Sequence, residues 1–284
     1  MDINVKKTYK HYVDGQFIRS ESGRTHVVTD NKGHTLAHVN VCSRKDLRIS
    51  VQAAHKSAQS WAKRSAYNRG QILYRIAEVL TNRSSEFIHE LKLEGFSEKN
   101  AREQVEKSIE LWVSYAGWCD KYQAIFSTVN PVASSHFNFS NPEPVGYVGL
   151  DASRGTGFYV LNAVIAPILC GGNAVVVFLP NKGVLAGLSL AEVFHTSDVP
   201  AGVVNLLSSP LPDTLEHIYA HRDIPSVSSL DTATDDKKRY QEIAADNMKR
   251  IRFIDSDEVI KSSSSPYEIM AYQEIKTTWH PIGL

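Results

Sequence analysis

The fold class of this chain is decided by residues 142–177, PEPVGYVGLDASRGTGFYVLNAVIAPILCGGNAVVV. The apolar run Gly146–Leu150 predicts a buried strand, and a glycine-containing turn separates it from a helix over about Phe158–Leu169. Gly171-Gly-Asn173 ends that helix, and Ala174–Leu179 predicts a second strand. The segment is therefore typical of a strand–helix–strand unit.

The same alternation continues toward the C-terminus. Apolar periodicity predicts a helix over Leu185–His195, a strand over Val203–Leu207, a helix near Thr214–Ala220 and a short strand over Ile251–Ile254. Strands that alternate with helices favour a parallel sheet covered on both faces. We therefore predict an α/β fold with a doubly wound, mostly parallel sheet.

The N-terminal part adds a hairpin and amphipathic helices. Tyr12–Ile18 alternates around an Asp-Gly pair, which predicts a two-residue hairpin turn, and His34–Val41 predicts another extended segment. Ser43 with Asp46 predicts the start of a helix. Further apolar stripes predict a helix around Ile72–Leu80 and a third amphipathic segment from about 101 to 122.

Composition narrows the class of protein. The 284 residues carry 31 Lys+Arg and 31 Asp+Glu, so the formal charge is zero and neither nucleic acid nor an anionic membrane is an expected partner. No apolar run is long enough for a transmembrane helix, and the first residues lack a signal-peptide pattern. Cys42, Cys119 and Cys170 are too few and too scattered for a disulfide framework. We expect a cytoplasmic protein.

The chain resembles the aldehyde dehydrogenase superfamily over most of its length. The matching pieces are Tyr12–Gly15, Tyr115–Lys121, the central block 142–177 and Tyr272–Thr277. The resemblance implies the cofactor-domain type of sheet with a small oligomerisation β extension.

This resemblance also implies a domain layout. Residues 1–261 correspond to the N-terminal and cofactor-type domain, with oligomerisation strands within about 124–142. The serines of 262–266 form a bridge where the family has its catalytic domain, and 267–284 correspond to the C-terminal oligomerisation strand. The chain is thus expected to be a truncated member that lacks the catalytic domain.

The catalytic positions of the family carry other residues here. Gly155 stands where the family has the asparagine that stabilises the oxyanion, and Ile254 stands where it has the general-base glutamate. None of Cys42, Cys119 and Cys170 matches the nucleophile, and none has a nearby cationic setting that would activate a thiol. We expect no catalytic residues.

The cofactor positions are altered as well. Phe178 and Asn181 replace the lysine and glutamate that hold the adenosine ribose in the family, although Lys182 is one residue away. Asp231 and Thr232 replace the Gly-Ser pair at the helix start that receives the pyrophosphate. A carboxylate at a helix N-terminus repels an external anion, so we expect no bound cofactor.

Two other motifs are weak. Arg154–Gly157 resembles a phosphate loop but lacks its full glycine pattern, so an ordinary turn is the better interpretation. His217 and His221 are spaced as on a zinc-binding helix, yet no third ligand is evident. We predict no metal site.

Three hypotheses for function remain. The first is a catalytically inactive subunit with a structural or regulatory role, which assembles with a full-length aldehyde dehydrogenase paralogue or with itself. Its interface residues would be Ile275, Thr277 and Trp279, which alternation places on one face of the C-terminal strand. The second is NAD(P)-dependent aldehyde dehydrogenase activity retained with a partner's catalytic domain. The third is a small-molecule sensor that uses the altered nucleotide cleft.

Overall fold

The computed structural model describes residues 5–155, 157–209 and 212–283, with the backbone alone for 212 and 213. The strands are β1 (Thr8–Tyr9), β2 (His11–Val13), β3 (Gln16–Ile18), β4 (Thr25–Thr29), β5 (Thr35–Asn40), β6 (Thr128–Asn130), β7 (His136–Pro144), β8 (Tyr147–Asp151), β9 (Ala174–Phe178), β10 (Val204–Leu207), β11 (Ser226–Leu230), β12 (Arg250–Ile254) and β13 (Gln273–Pro281). The helices are α1 (Arg44–Ala62), α2 (Ala66–Asn82), α3 (Ser84–Leu93), α4 (Glu98–Trp118), α5 (Tyr122–Phe126), α6 (Phe158–Cys170), α7 (Val184–Thr196), α8 (Pro212–Ala220), α9 (Thr234–Ala245), α10 (Ser256–Ser262) and α11 (Tyr267–Met270).

The central sheet has seven strands in the order β12-β11-β8-β9-β10-β2-β3. Neighbouring strands from β12 to β10 pair in parallel, and the β2–β3 hairpin adds antiparallel strands at one edge. Helices α2, α4, α6 and α7 supply the core on one face, while α1, α8 and α9 pack on the other. The predicted doubly wound α/β fold is confirmed.

Two local predictions in the N-terminal part, the hairpin turn and the start of a helix at Ser43, are also confirmed. Asp14 and Gly15 adopt φ angles of 49° and 73° between β2 and β3, as a two-residue hairpin turn requires. Ser43 and Asp46 form a reciprocal capping box at the start of α1. The sequence predicted both features because each depends on neighbouring residues alone.

A separate three-stranded sheet has the order β13-β7-β6. β13 pairs antiparallel with β7 along its whole length, from Gln273 opposite Pro144 to Pro281 opposite His136. This sheet contains the extended piece predicted within 124–142 and the predicted C-terminal strand. A third sheet, β1-β5-β4, lies at the N-terminal end.

The stretch before β13 differs from the linker-like bridge that its serines suggested. Ser256–Ser262 form α10, and Tyr267–Met270 form α11, so the strand begins only at Gln273. Between these helices, the Trp118 indole and the Tyr115 hydroxyl donate to the carbonyls of Ser264 and Ser265. The bridge is therefore packed against α4, because two side chains of that helix satisfy its backbone.

One smaller prediction needs correction. The third amphipathic segment, expected over 101–122, forms α4 from Glu98 to Trp118 and then the separate α5. Cys42, just before α1, is fully buried. Within the described residues, no helix is long and apolar enough to cross a membrane.

Candidate functional site

The altered cofactor and catalytic positions lie together at one end of the central sheet. Asp151, Phe178, Leu230 and Ile254 are the last residues of β8, β9, β11 and β12. Because these strands run parallel, their carboxyl ends form one edge, which is the usual ligand site of such sheets. We call these four residues and the loops that follow them the carboxyl edge.

Two tyrosines fill the space between the helices beside the carboxyl edge. Tyr219 of α8 and Tyr240 of α9 stack with ring centroids 4.0 Å apart and an interplanar angle of 10°. The Tyr219 hydroxyl donates to Asp151 Oδ2 at 2.8 Å and shares a second hydrogen bond of 2.8 Å with Ser229 Oγ, which contacts Thr232 Oγ1 at 2.5 Å. Burial and the Asp151 charge raise the pKa of Tyr219. The polar groups here are satisfied by one another.

Asp231 acts on a different helix from the one that the resemblance implied. Its carboxylate accepts hydrogen bonds from Ser256 N at 2.8 Å and from Ser256 Oγ at 2.5 Å, at the start of α10. Asp255 supplies the N-cap of the same helix. The expectation that Asp231 occupies the N-terminus of α9 is therefore wrong. Its backbone φ of 50° turns the chain and directs the carboxylate toward α10.

The N-terminus of α9 carries other carboxylates. Asp235 and Asp236 lie in its first turn, where the helix dipole favours negative side chains. Arg154, from the loop after β8, forms an ion pair with Asp236. An approaching phosphate group would meet two carboxylates and an arginine that is already engaged.

The N-termini of α6 and α7 are also occupied by side chains of this chain. Gln104 Oε1 accepts from Phe158 N at 2.6 Å at the start of α6. Glu94 accepts from the three successive backbone N–H groups of residues 183–185 at the start of α7, at 2.9–3.1 Å. Burial raises the pKa of Glu94 to about 7, although those three donors oppose the shift. Internal acceptors thus take the places where external anions bind helices.

The two positions that correspond to the ribose contacts of the family differ in burial. Phe178 is fully buried in the cluster formed by α1, α8 and the sheet, so its ring is part of the core. Asn181 is exposed, and its backbone N–H donates to Ser153 O. Lys182 lies with Nζ 4.5 Å from the centroid of the Phe96 ring.

The two altered catalytic positions are shaped for packing. A Cβ added at Gly155 would meet Leu230 Cδ1 at 3.0 Å and Ala152 O at 3.2 Å, so an asparagine fits there only after neighbouring atoms shift. Ile254 is buried in the core, and its carbonyl accepts from Asp231 N. Thr156 of the predicted turn lies outside the described residues.

The three cysteine thiols are buried, whereas a nucleophilic thiol is accessible and has a lowered pKa. Cys42, Cys119 and Cys170 are free and buried, with the Sγ atoms of Cys119 and Cys170 3.5 Å apart. Burial raises the pKa of Cys42 and of Cys170, which disfavours the reactive thiolate.

The histidine pair on α8 lies away from the carboxyl edge. His217 and His221 face the start of α1 and line a surface groove with its basic residues. In the described part of the chain, no three or more His, Cys, Asp or Glu side chains come together in a group that could hold a metal ion.

The predicted interface residues lie on one face of β13, a strand exposed from Glu274 to Pro281. Ile275 and Trp279 are 55% and 57% exposed. Thr277, between them, shares a hydrogen bond of 2.8 Å with Ser140 on β7, which in turn accepts from Asn130 on β6. This face of β13 is thus apolar at two points and polar at its centre.

Several residues of these sites were missed in the sequence. Gln104, Tyr219 and Tyr240 act through contacts with residues 10 or more positions away, for which a single sequence gives no signal. Phe137 and Val129 add exposed apolar area on the opposite face of the β13 sheet. The alternation of 135–139 was the only signal that could have located part of that area.

Comparison with known proteins identifies the family to which this chain belongs. A sequence profile of the aldehyde dehydrogenase family matches residues 17–253. Cytosolic 10-formyltetrahydrofolate dehydrogenase of Xenopus tropicalis is 25% identical over 256 residues, which cover 88% of this chain and 28% of that protein. The mitochondrial benzaldehyde dehydrogenase of Antirrhinum majus is 26% identical and covered to 46%. The chain therefore spans less than half the length of these relatives.

Solved structures give the same result for the fold. HpcC from Thermus thermophilus superposes with a TM-score of 0.81 at 26% identity, over 87% of this chain and 48% of that one. An aldehyde dehydrogenase from Bacillus cereus, solved as an NAD+ complex, superposes with a TM-score of 0.81 at 23% identity, over 87% and 51%. With its profile match, its relatives and its sheet in agreement, this chain belongs to the aldehyde dehydrogenase family.

Proposed function

We propose that this chain is a catalytically inactive member of the family, with a structural or regulatory role in an oligomer with a full-length paralogue or a second copy of itself. The observation that carries the proposal is β13, the outer strand of its sheet, which presents Ile275 and Trp279 to solvent. A long outer strand with exposed apolar side chains associates readily with another strand. Addition of a partner strand would satisfy its backbone and cover both side chains.

The charges beside β13 favour a polypeptide partner. Lys276 forms an ion pair with Glu143, and Glu274 forms one with Arg250, so these charged groups already have partners within the chain. Backbone hydrogen bonds and apolar contact remain for recognition, which suits neither nucleic acid nor a membrane surface. The three free cysteines suit a reducing compartment, and we place the assembly in the cytoplasm.

The inactive role rests on the carboxyl edge. Tyr219 and Tyr240 fill the gap between α8 and α9, and side chains of the chain occupy the starts of α6, α7 and α10. Gly155 and Ile254 offer neither an oxyanion donor nor a base through their side chains. We expect neither NAD nor NADP to bind.

Co-expression tests the assembly. The tagged chain is produced with a full-length aldehyde dehydrogenase paralogue and, separately, alone, and both samples are measured by size-exclusion chromatography with light scattering. We expect an oligomer that Trp279→Ala weakens at least about tenfold, because buried tryptophans dominate interface energies. Tyr67→Ala is the matched control, since Tyr67 is 71% exposed on α2, away from this sheet.

Two results would contradict the proposal. A monomer under both conditions would exclude the subunit role. Saturable NAD binding together with aldehyde-dependent NADH formation by the purified chain would instead establish the oxidoreductase alternative. Calorimetry measures the binding, and the near-ultraviolet absorbance of reduced nicotinamide measures the hydride transfer.

A further inference from the structure

A second candidate site lies between the first turns of α1 and the end of α8. Arg44, Lys45 and Arg48 form one wall of this surface groove, and His217 and His221 form the other. The groove has a volume of about 420 Å³. We call it the α1–α8 groove. None of its residues belongs to the carboxyl edge or to β13.

Two of the three basic residues of the α1 wall, Arg44 and Arg48, have no ion-pair partner among the described residues, whereas Lys45 lies beside Glu21. Arg44 and Arg48 are four residues apart, so they lie on the same face of the helix. Neither forms an ion pair with any residue that the structure describes. Asp46, the acidic residue in the same turn, is buried and held by Ser20 Oγ at 2.6 Å and by Ser43 N at 2.9 Å. Its charge is therefore engaged on the far side of the helix.

The α8 wall does not supply the missing negative charge. The Lys249 ammonium donates to the carbonyls of Ile218 and His221 at 3.5 Å and 2.5 Å, which satisfies the end of α8 and offsets the negative end of its dipole. Two acidic groups lie beside residues of the groove walls. Glu21 lies 3.7 Å from Lys45 Nζ, and Asp223 lies 4.0 Å from His221 Nδ1.

We infer that the α1–α8 groove binds a small molecule that carries one or more phosphate groups. Two arginines on one helix face offer forked donors that match phosphate oxygens, and the His221 imidazole opposite adds a further donor. The volume is that of a small-molecule site. The carboxylates of Glu21 and Asp223, beside Lys45 and His221, limit the positive area, which disfavours an extended polyanion such as nucleic acid.

Calorimetric titration of the full chain with tripolyphosphate at neutral pH and low salt tests this inference. Arg44→Gln with Arg48→Gln should weaken binding by at least about tenfold per arginine, because each removes charge-assisted hydrogen bonds. Ala220→Glu, an exposed change at the end of α8, should abolish binding by placing a carboxylate in the groove. The control Lys56→Gln with Lys63→Gln removes the same charge from the opposite end of α1 and should leave binding unchanged.

Parallel titrations identify the source of the phosphate. Binding of ribose 5-phosphate indicates a phosphate monoester, whereas binding of tripolyphosphate alone indicates an inorganic oligophosphate; both support the inference. No binding of any phosphate probe would overturn it. If the lysine control weakened binding as much as the arginine variant, the binding would be general charge attraction and the groove would not be a phosphate site. If hexaglutamate bound as tightly as the phosphate probes, the ligand would be an acidic peptide and the inference would be wrong.

Discussion

Mutation of the stacked tyrosines Tyr219 and Tyr240 tests whether their rings fill the gap between α8 and α9 or leave it open to a ligand. Tyr240 is 5% exposed, and its ring lies parallel to that of Tyr219 at 4.0 Å. Removing a buried aromatic ring costs roughly 3–5 kcal/mol, which includes about 1 kcal/mol from ring stacking. Tyr240→Ala should therefore lower the free energy of unfolding by about 3 kcal/mol or more.

Urea unfolding followed by circular dichroism measures this loss. Tyr240→Phe keeps the ring and should stay within about 1 kcal/mol of the parent chain. In a double-mutant cycle with Tyr219→Ala, the interaction energy should be about 1 kcal/mol, since the two rings are in direct contact. The cycle separates the contact between the rings from the general cost of a cavity.

A small effect would refute the reasoning. If Tyr240→Ala cost less than about 1 kcal/mol, the stack would not be holding α9 against α8, and the rings could move aside. The gap would then be a cleft that a ligand can enter, and the case against cofactor binding would fail with it.

Three further predictions follow from single residues. Burial lowers the pKa of Lys249 to about 8 from 10.5. Because folding disfavours the charged form, burial of the ammonium lowers the free energy of unfolding by about 3 kcal/mol below pH 8. This loss is relieved as the pH rises from 8 toward 10.5. The stability of the parent chain relative to Lys249→Met should therefore rise over that range in urea titrations, and parallel pH profiles would contradict this. Asp231→Asn should cost about 1 kcal/mol through its bonds to Ser256, with Asp235→Asn near 0.5 kcal/mol as its control. Cys170→Ala should leave aldehyde oxidation by any complex unchanged, and a large rate loss would reveal a catalytic thiol.

Where local chemistry decides the structure, the sequence was sufficient. The capping box of Ser43 and Asp46, the turn at Asp14-Gly15 and the apolar stripe of α2 each depend on residues within one or two turns. Gly155, Phe178 and the other altered positions were identified through the resemblance to the aldehyde dehydrogenase family, and the structure brings them to the carboxyl edge.

Where tertiary contacts decide, the sequence was not sufficient. β11 is a buried strand with the sequence Ser-Val-Ser-Ser-Leu, and apolar periodicity gives it no signal. Its buried serines are satisfied because Ser228 donates to the Tyr272 hydroxyl and Ser229 shares a hydrogen bond with the Tyr219 hydroxyl. Asp231 was assigned to the nearest following helix, whereas its positive φ directs it to one that starts 25 residues later. Long-range satisfaction of polar groups outweighed local pattern in both places.

The helix N-termini link the fold to the proposed role. Free N–H groups at a helix start are both a cost to a folded chain and an opportunity for an anionic ligand. Here Gln104, Glu94 and Asp231 resolve that cost internally at α6, α7 and α10. A ligand phosphate at these places would have to displace a hydrogen-bonded acceptor, at about 1–3 kcal/mol for each donor or acceptor left without a partner. The same contacts that stabilise the sheet edge therefore work against nucleotide binding. Among the described residues, Arg44 and Arg48 beside the α1–α8 groove form no ion pair, which is why we look for an anionic ligand there.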